Sequence, residues 1–224
     1  MRFDIVTIFP GMFGPVFDQG VVGRALANGV LELHTHDLRD FTHDRHRQVD
    51  DVPFGGGPGM VLKPEPIFEA VESVMLNNPG PVVLMEPWGD RLDQRLAAEL
   101  AREPGLIIVC GRYEGVDDRV RTGLAAREIS IGDYVLSGAE IPAMVLIDAV
   151  ARLVHGVVGD PSSLAQDSFA DELTGWPQFT RPADYRGMTV PDVLLSGDHA
   201  RIKQWRRQQA QQRRGAHTKE LKKT

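Results

Sequence analysis

Two glycine-containing segments that each carry a tyrosine are the residues best suited to hold a planar ligand. Residues 111–120 read Gly-Arg-Tyr-Glu-Gly-Val-Asp-Asp-Arg-Val, and residues 131–138 read Ile-Gly-Asp-Tyr-Val-Leu-Ser-Gly. Glycine lets a ligand approach the backbone closely, and a tyrosine ring offers a flat wall. Together the two segments would suit an adenosine, although each taken alone is equally consistent with an ordinary turn.

A third glycine-rich segment, residues 54–60, reads Phe-Gly-Gly-Gly-Pro-Gly-Met. It does not match the G-x-G-x-x-G pattern of dinucleotide sites, and it lacks the Lys-Ser/Thr ending of a phosphate-binding P-loop. The segment is either a turn-rich connector or a backbone surface pressed against a flat ligand, where a Cβ atom would clash. The sequence leaves both interpretations open.

Histidine pairs with metal-like spacing occur as His34-x-His36 and His43-x-x-His46, but neither pair has cysteines or a set of carboxylates nearby. The single cysteine, Cys110, ends an apolar run, which is typical of an inert core residue. The sequence contains no Gly-x-Ser-x-Gly or His-Glu-x-x-His motif, which excludes the commonest hydrolases. We therefore expect neither a zinc site nor a hydrolase of these classes.

The net charge of −6 is unevenly distributed along the chain. Residues 201–224 contain nine Lys or Arg and one acid, which gives +8, whereas residues 1–200 sum to −14. A basic tail is more often a solvated face than a nucleic-acid site, so charge alone leaves RNA binding open. A second basic cluster suits phosphate better than metal: Arg39, His43, Arg45, His46 and Arg47.

Length and composition indicate a folded protein that is neither exported nor membrane-bound. The chain has 224 residues, of which 42% are hydrophobic and 25% charged, close to the globular average. No apolar run approaches the 18 or more residues of a membrane span, and the first residues do not resemble a signal peptide. With only one cysteine, no internal disulfide forms. We expect a cytoplasmic protein with no membrane partner.

Short β-branched runs alternate with helical patterns, which predicts an α/β fold with a mostly parallel sheet. The strands are predicted at residues 3–9, 30–36, 82–85, 106–110 and 128–131, and the helices after Pro15 and at 64–76, 92–102 and 141–153. In a parallel sheet the ligand crevice lies beyond the carboxyl ends of the strands. Residues 111–120 and 131–138 are therefore expected to meet there.

The predicted domain organisation has three parts. Residues 1–157 form the α/β domain, residues 158–167 form a linker rich in Gly, Pro and Ser, and residues 168–224 form a small helical C-terminal domain. A helix at residues 199–214 follows the capping sequence Ser-Gly-Asp. An acid at the end of the linker, Asp167, is by itself most simply a solvated residue.

Taken together, these segments resemble the bacterial tRNA (guanine-37-N1)-methyltransferases of the SPOUT class. The match runs in order from residue 3 to about residue 207. It is carried by residues 3–10 (Phe-Asp-Ile-Val-Thr-Ile-Phe-Pro), 46–51 (His-Arg-Gln-Val-Asp-Asp), 55–60, 111–120, 131–137, 167–170 (Asp-Ser-Phe-Ala) and 193–197 (Val-Leu-Leu-Ser-Gly). The resemblance implies a deep trefoil knot in the first domain and a homodimer with its active sites at the subunit interface.

The resemblance also implies that S-adenosylmethionine lies in the knot loops. The matching positions are Pro87, Gly89, Gly111, Tyr113, Glu114, Ile131, Gly132, Tyr134, Leu136, Gly138 and Pro142. Two segments depart from the family pattern. The family often has Ser-Pro-Gln-Gly where this chain has Glu86-Pro87-Trp88-Gly89, and Gly-Gly-Glu where this chain has residues 138–140, Gly-Ala-Glu. A tryptophan at position 88 is bulky enough to narrow the adenine pocket.

For catalysis, the resemblance implies that Asp167 removes the N1 proton of guanine and that Arg152 stabilises charge developing on O6. It further implies Mg²⁺ dependence, with Glu114 and Asp167 as candidate ligands. The residues expected to contact the tRNA are Arg39, His43, Arg45, His46, Arg47, Asp50 and Ser168, together with the basic C-terminal helix. The alternatives are a non-catalytic RNA-binding member of the class and a methyltransferase that acts on another RNA or on a ribose hydroxyl.

Overall fold

The computed structural model describes residues 1–159 and 175–221, and for residues 214–221 it describes the backbone alone. The chain divides into two compact units, Met1–Gly159 and Asp160–Thr224. Most of the linker expected at residues 158–167 lies outside the described residues. In the part of the chain that the structure describes, no helix has both the length and the apolar composition needed to cross a bilayer.

Five parallel strands form the central sheet of the first unit. The strands of this unit are β1 (Arg2–Thr7), β2 (Glu32–Asp37), β3 (Asp50–Asp51), β4 (Val61–Leu62), β5 (Val82–Arg91), β6 (Gly105–Val109) and β7 (Arg127–Ser130). The order across the sheet is β2-β1-β6-β5-β7, and every neighbouring pair is parallel. The short strands β3 and β4 form a separate antiparallel pair. The expected α/β fold with a parallel sheet is confirmed.

Helices cover both faces of this sheet. They are α1 (Gly14–Phe17), α2 (Gly20–Ala27), α3 (Pro64–Met75), α4 (Gln94–Leu100), α5 (Asp118–Gly123) and α6 (Glu140–Ala151), with 3₁₀ turns at Pro10–Met12 and Leu38–Phe41. Alternate residues of β6 face opposite sides, so that Leu106 and Ile108 pack with α2, α4 and α6, whereas Ile107 and Val109 pack with α3 and α5. Burial on both faces explains why this strand is continuously apolar.

A buried polar network connects β1 with β2 and with the segment before β5. Asp4 is fully buried and accepts hydrogen bonds from Arg2 (2.7 Å), from His36 (2.8 Å) and from the side chain of Asn78 (2.8 Å). Burial alone would raise the pKa of Asp4, but the bonds from His36, Arg2 and Asn78 outweigh it and hold the pKa well below its usual range. This acid of the sequence motif at residues 3–10 therefore has a structural role.

The sequence-based prediction missed the short strands β3 and β4 of the first unit, and it differs from the structure at β5 and α5 as well. Strand β5 continues to Arg91 because Met85 and Asp90 both pair with Ile129 of β7, and the residues between them bulge out of the ladder. Helix α5 lies where only a loop was expected. It is short and polar, so it has no apolar periodicity, and it is started by Asp117, whose side chain accepts the backbone N–H of Arg119.

The second unit contains a hairpin that the sequence analysis did not predict. The described elements of this unit are β8 (Asp184–Tyr185), β9 (Met188–Thr189), α7 (Asp192–Leu195) and α8 (His199–Leu221), and β8 and β9 form the hairpin. The hairpin turn uses left-handed backbone at Arg186 and Gly187, which suits a tight two-residue connection. Helix α8 begins as expected, since Asp198 accepts the N–H groups of Ala200 and Arg201 at 3.0 Å, and it continues past residue 214 to Leu221.

Candidate active site

A cavity of about 280 Å³ lies beyond the carboxyl ends of β5, β6 and β7, where a parallel sheet holds its ligands. All but one of the positions implied for the cofactor line it: Pro87, Gly111, Tyr113, Glu114, Ile131, Gly132, Tyr134, Leu136, Gly138 and Pro142. The exception is Gly89, which lies within β5, where a Cβ would approach the backbone of Glu128 and Ile129 to 2.5 Å. A glycine is therefore required at this position for β5 to lie against β7.

The glycine-rich loop before β4 and the glycine-containing loop after β6 are joined by backbone hydrogen bonds. The N–H of Glu114 donates to the carbonyl of Met60, and the N–H of Leu62 donates to the carbonyl of Gly115, both at 3.0 Å. A Cβ at Gly59 would lie 2.4 Å from a carboxylate oxygen of Glu114, so the loop at residues 54–60 rests on that side chain. The glycine loop is thus a connector that forms part of the cavity's surroundings.

A buried ion pair connects two parts of the cavity lining, the loop after β6 and the start of α6. Glu140, the first residue of α6, is fully buried and accepts a hydrogen bond from Arg112 Nε and one from the hydroxyl of Thr7, both at 2.8 Å. Arg112 also donates to the carbonyl of Ser137 at 3.0 Å, and its guanidinium lies 4.6 Å from the centre of the Phe9 ring. Both loops are therefore anchored to one carboxylate.

Sequence reasoning did not identify this network. Arg112 and Glu140 are separated by 28 residues, and only the fold brings them together. The one available signal is an acid at the start of an otherwise apolar helix. A Cβ at Gly138 would lie 2.1 Å from Arg112 Nε, which explains why glycine is needed there.

Glu86 is a second buried acid, and it lines the cavity. Only 8% of its surface is exposed. Burial, together with the negative charge of Glu128, raises the pKa of Glu86 from its usual value near 4.5 to about 7. Its neighbour Trp88 lies at the cavity rim, 71% exposed, with its indole N–H donating to Glu128 at 2.7 Å. One of the chain's two departures from the family pattern, at residues 86–89, therefore lies in this wall of the cavity.

Of the two residues implied for catalysis, the structure describes only Arg152, and it lies outside this cavity. Arg152 is exposed at the C-terminus of α6, and it lines a separate cavity of about 320 Å³ with residues of α1 and α2. Asp167 and Ser168 lie outside the described residues. Within one chain, the described residues thus do not bring Arg152 to the cavity between the glycine-rich loops.

The basic loop implied for RNA contact is partly occupied by contacts within the protein. Arg39 donates to the carbonyl of Ile8 at 2.6 Å, Arg47 forms an ion pair with Asp40, and His43 lies 2.9 Å from Glu69. Asp50 lies in β3. The exposed side chains of Arg45 and His46, by contrast, have no hydrogen-bond partner among the described residues.

An aromatic side chain that the sequence analysis did not single out projects from the glycine loop. Phe54 is fully exposed and is followed by three glycines with left-handed backbone, at φ values of 87°, 78° and 125°. An exposed aromatic ring has no role in a core. Its position directly before the glycine triplet is the signal that sequence reasoning could have used.

The described part of the chain contains neither a cluster of metal-ligating side chains nor an accessible cysteine. Over residues 1–159 and 175–221, no three histidine, cysteine or carboxylate side chains come together as metal ligands. Glu114, the described candidate for Mg²⁺, lies against Gly59. Cys110 is buried in the core, and burial raises the pKa of its thiol well above the usual value, as expected of an inert residue.

Comparison with known proteins agrees with this geometry. The whole chain, residues 1–224, matches the family described as tRNA (guanine-1)-methyltransferase TrmD. Proteins named tRNA (guanine-N(1)-)-methyltransferase are 55% identical in Dictyoglomus turgidum, over 94% of this chain and 85% of the relative, and 53% identical in Moorella thermoacetica, over 95% and 86%. In Thermomicrobium roseum the identity is 52%, over 99% and 83%. The chain therefore belongs to the tRNA (guanine-1)-methyltransferase family.

Proposed function

We propose that this protein transfers a methyl group from S-adenosylmethionine to N1 of guanosine 37 in tRNA, 3′ of the anticodon, when guanosine also occupies position 36. The observation that carries this proposal is the cavity lined by Tyr113 and Tyr134 beyond β5, β6 and β7, in a chain that matches the family over its whole length. The modified tRNA and its methylating enzyme would both belong to the cytoplasm.

The cavity is suited in shape and chemistry to a nucleoside. Its lining includes four glycines of the loops, and the rings of Tyr113 and Tyr134 provide the flat surfaces that an adenine requires. Arg112 and Glu140 hold the two loops in place, and Gly138 leaves the space that the Arg112 side chain occupies. When bound, the cofactor supplies an activated methyl group, so the protein has mainly to orient donor and acceptor.

The proposed proton acceptor is Asp167, and the proposed anion-stabilising residue is Arg152. A carboxylate next to N1 removes its proton as the new bond forms, which contributes on the order of 10²–10⁴-fold to the rate. The guanidinium stabilises negative charge on O6. No step is assigned to Mg²⁺, because Glu114 belongs to no group of three or more candidate ligands among the described residues.

The proposed homodimer explains why Arg152 lies outside the cofactor cavity of its own chain. Arg152 lines a cavity together with the exposed residues Val16 and Val21 of α1 and α2, and α6 carries two further exposed apolar residues, Ile141 and Val145. A second copy that covers these residues would bring Arg152 into an intersubunit active site. We also propose the trefoil knot of the SPOUT class, with the cavity loops as knot loops.

The dimer is tested with a charge placed at one of these exposed apolar residues. Val145→Asp should convert the protein to a monomer in light scattering and abolish methylation, because an unpaired carboxylate cannot be buried at the interface. Val145→Ala should remain dimeric and active. A monomeric wild-type protein with full activity would contradict the intersubunit site.

Each of the two units has its own proposed tRNA-contact region, the basic loop in the first unit and helix α8 in the second. Arg45 and His46 on the loop and Arg201, Lys203 and Arg207 on α8 are exposed cations, suited to the phosphate backbone. An acidic body with basic contact regions then fits a protein that binds RNA and reads one flipped base.

The function is tested by substituting the proposed general base, Asp167→Asn. The variant should bind S-adenosylmethionine and tRNA as the wild type does and lose at least 100-fold in kcat, on the order expected for a general base. Full activity of this variant would show that Asp167 is not the general base. Wild-type protein that binds tRNA without transferring methyl would identify a non-catalytic RNA-binding protein instead.

A further inference from the structure

We propose that the carboxylate of Glu86 is a cation-recognising group of the cofactor cavity, which binds a positive charge of the methyl donor. This inference rests on the proposed function, since it assumes that the cavity holds S-adenosylmethionine. It assigns a role to a residue at which this chain departs from the Ser-Pro-Gln-Gly pattern.

The position of Glu86 is set by the bulge in β5. Met85 is the last residue of the regular ladder with β7, and Glu86 is the first residue of the bulge that forms the cavity wall. One of its carboxylate oxygens would lie 3.9 Å from a Cβ built at Gly111, so the carboxylate lies beside the loop that follows β6. This places a negative charge inside the cavity and away from bulk water.

Glu86 has no compensating partner among the described residues. It forms no hydrogen bond and no ion pair there. Arg112, the arginine that lines the same cavity, is paired with Glu140 at 2.8 Å. Arg91 and Arg127, on β5 and β7, form ion pairs with Asp133 at 3.0 Å and Glu99 at 2.5 Å. The other buried acids of the unit, Asp4 and Glu140, are each paired with an arginine.

A buried acid without a partner is costly, and proteins keep such groups where a ligand completes them. S-Adenosylmethionine offers two cations, its sulfonium and its α-ammonium group. The product S-adenosylhomocysteine has lost the sulfonium charge but keeps the ammonium group. A carboxylate near the sulfonium would favour donor over product and so promote product release, whereas one near the ammonium would bind both.

The charges around Glu86 agree with this role. Burial and the negative charge of Glu128 on β7 keep the pKa of Glu86 near 7. Arg112, beyond β6, is engaged by Glu140, and Glu114 adds a second negative charge to the lining. A bound cation would lower this pKa, so donor binding near neutral pH should release a proton.

The experiment measures three dissociation constants by calorimetry at pH 8, for the full-length wild type and for Glu86→Gln. The ligands are S-adenosylmethionine, S-adenosylhomocysteine and 5′-methylthioadenosine, which has neither cation. The variant should bind the donor about tenfold more weakly and leave 5′-methylthioadenosine unchanged, as expected for the loss of one charge-assisted contact. Glu65→Gln, on the exposed start of α3, is the matched control and should change nothing.

The outcomes show which of the two cations Glu86 contacts. They also distinguish a failure of this inference from a failure of the proposed function. Weakening of the donor alone assigns Glu86 to the sulfonium, and equal weakening of donor and product assigns it to the ammonium group. Unchanged donor affinity, or equal loss for all three ligands, overturns the inference. Methylation of tRNA by the wild type is measured in parallel, so that a failure of the proposed function is recognised independently of Glu86.

Discussion

Glu140 and Arg112 form an ion pair, 2.8 Å between Oε2 and Nε, that connects the first turn of α6 with the loop after β6. Both walls of the cavity depend on this contact. Because the carboxylate is fully buried and also holds the Thr7 hydroxyl, its hydrogen-bonding capacity is used by the protein itself. The pair therefore positions the loops and leaves their backbone available to a ligand.

The first prediction concerns this pair. Glu140→Ala should lower the free energy of unfolding by about 3 kcal/mol, because the partly buried guanidinium of Arg112 loses its counter-charge. The same variant should bind S-adenosylmethionine at least tenfold more weakly, since the loops lose their common anchor. Urea unfolding and calorimetry measure the two effects.

A double variant distinguishes positioning from simple stability. Adding Arg112→Met to Glu140→Ala should restore part of the stability, because no charge is left unpaired, without restoring cofactor affinity. A single Glu140→Ala variant with unchanged stability and affinity would contradict the positioning role.

The second prediction concerns Asp4. Because hydrogen bonds from His36, Arg2 and Asn78 hold its pKa below the usual value of 3.8, the unfolded state binds more protons in acid than the folded state. The stabilisation is therefore complete above about pH 4 and is lost progressively as the pH falls below it. Asp4→Asn should be less stable at pH 7 and lose less stability between pH 4 and pH 2. Asp51→Asn, at an exposed site, should follow the wild type, and an Asp4 variant that does so as well would refute the assignment.

Much of the first unit could be predicted because its strands are buried on both faces and therefore appear as short apolar runs. The meeting of residues 111–120 and 131–138 followed from one rule, that the carboxyl ends of parallel strands share an edge. The sequence could not show that Glu86 is buried without an ion-pair partner. Its burial depends on the bulge in β5, which arises because Met85 and Asp90 both pair with Ile129 of β7. Helix α5 and the β8–β9 hairpin were missed because elements this short have no periodicity.

The third prediction uses the raised pKa of Glu86 in the cofactor-free protein. Since the folded state holds this proton up to about pH 7, whereas the unfolded state releases it near pH 4.5, folding binds a proton between these values. Stability should therefore fall as the pH rises from 4.5 to 7. Glu86→Gln should remove this decrease and be more stable at pH 8, by at most about 3 kcal/mol. A variant less stable than the wild type at pH 8 would show that the charged carboxylate has a partner in the fold.

The fourth prediction concerns Phe54. A fully exposed ring on a glycine loop can stack on a base of the bound RNA, and such stacking contributes about 1–3 kcal/mol. Phe54→Ala should therefore raise the KM for tRNA about tenfold or more, with unchanged stability and unchanged affinity for S-adenosylmethionine. Phe54→Trp should retain tRNA binding. If the alanine variant has a wild-type KM for tRNA, the ring does not contact the substrate.

The most direct test of the proposed function is nucleoside mass spectrometry of a tRNA transcript incubated with the protein and S-adenosylmethionine. With guanosine at positions 36 and 37, we expect one 1-methylguanosine per tRNA, located at position 37 by nuclease mapping. A transcript with adenosine at position 37 should remain unmodified. Methylation of a ribose hydroxyl, of another base, or of no nucleoside at all would contradict the proposed function.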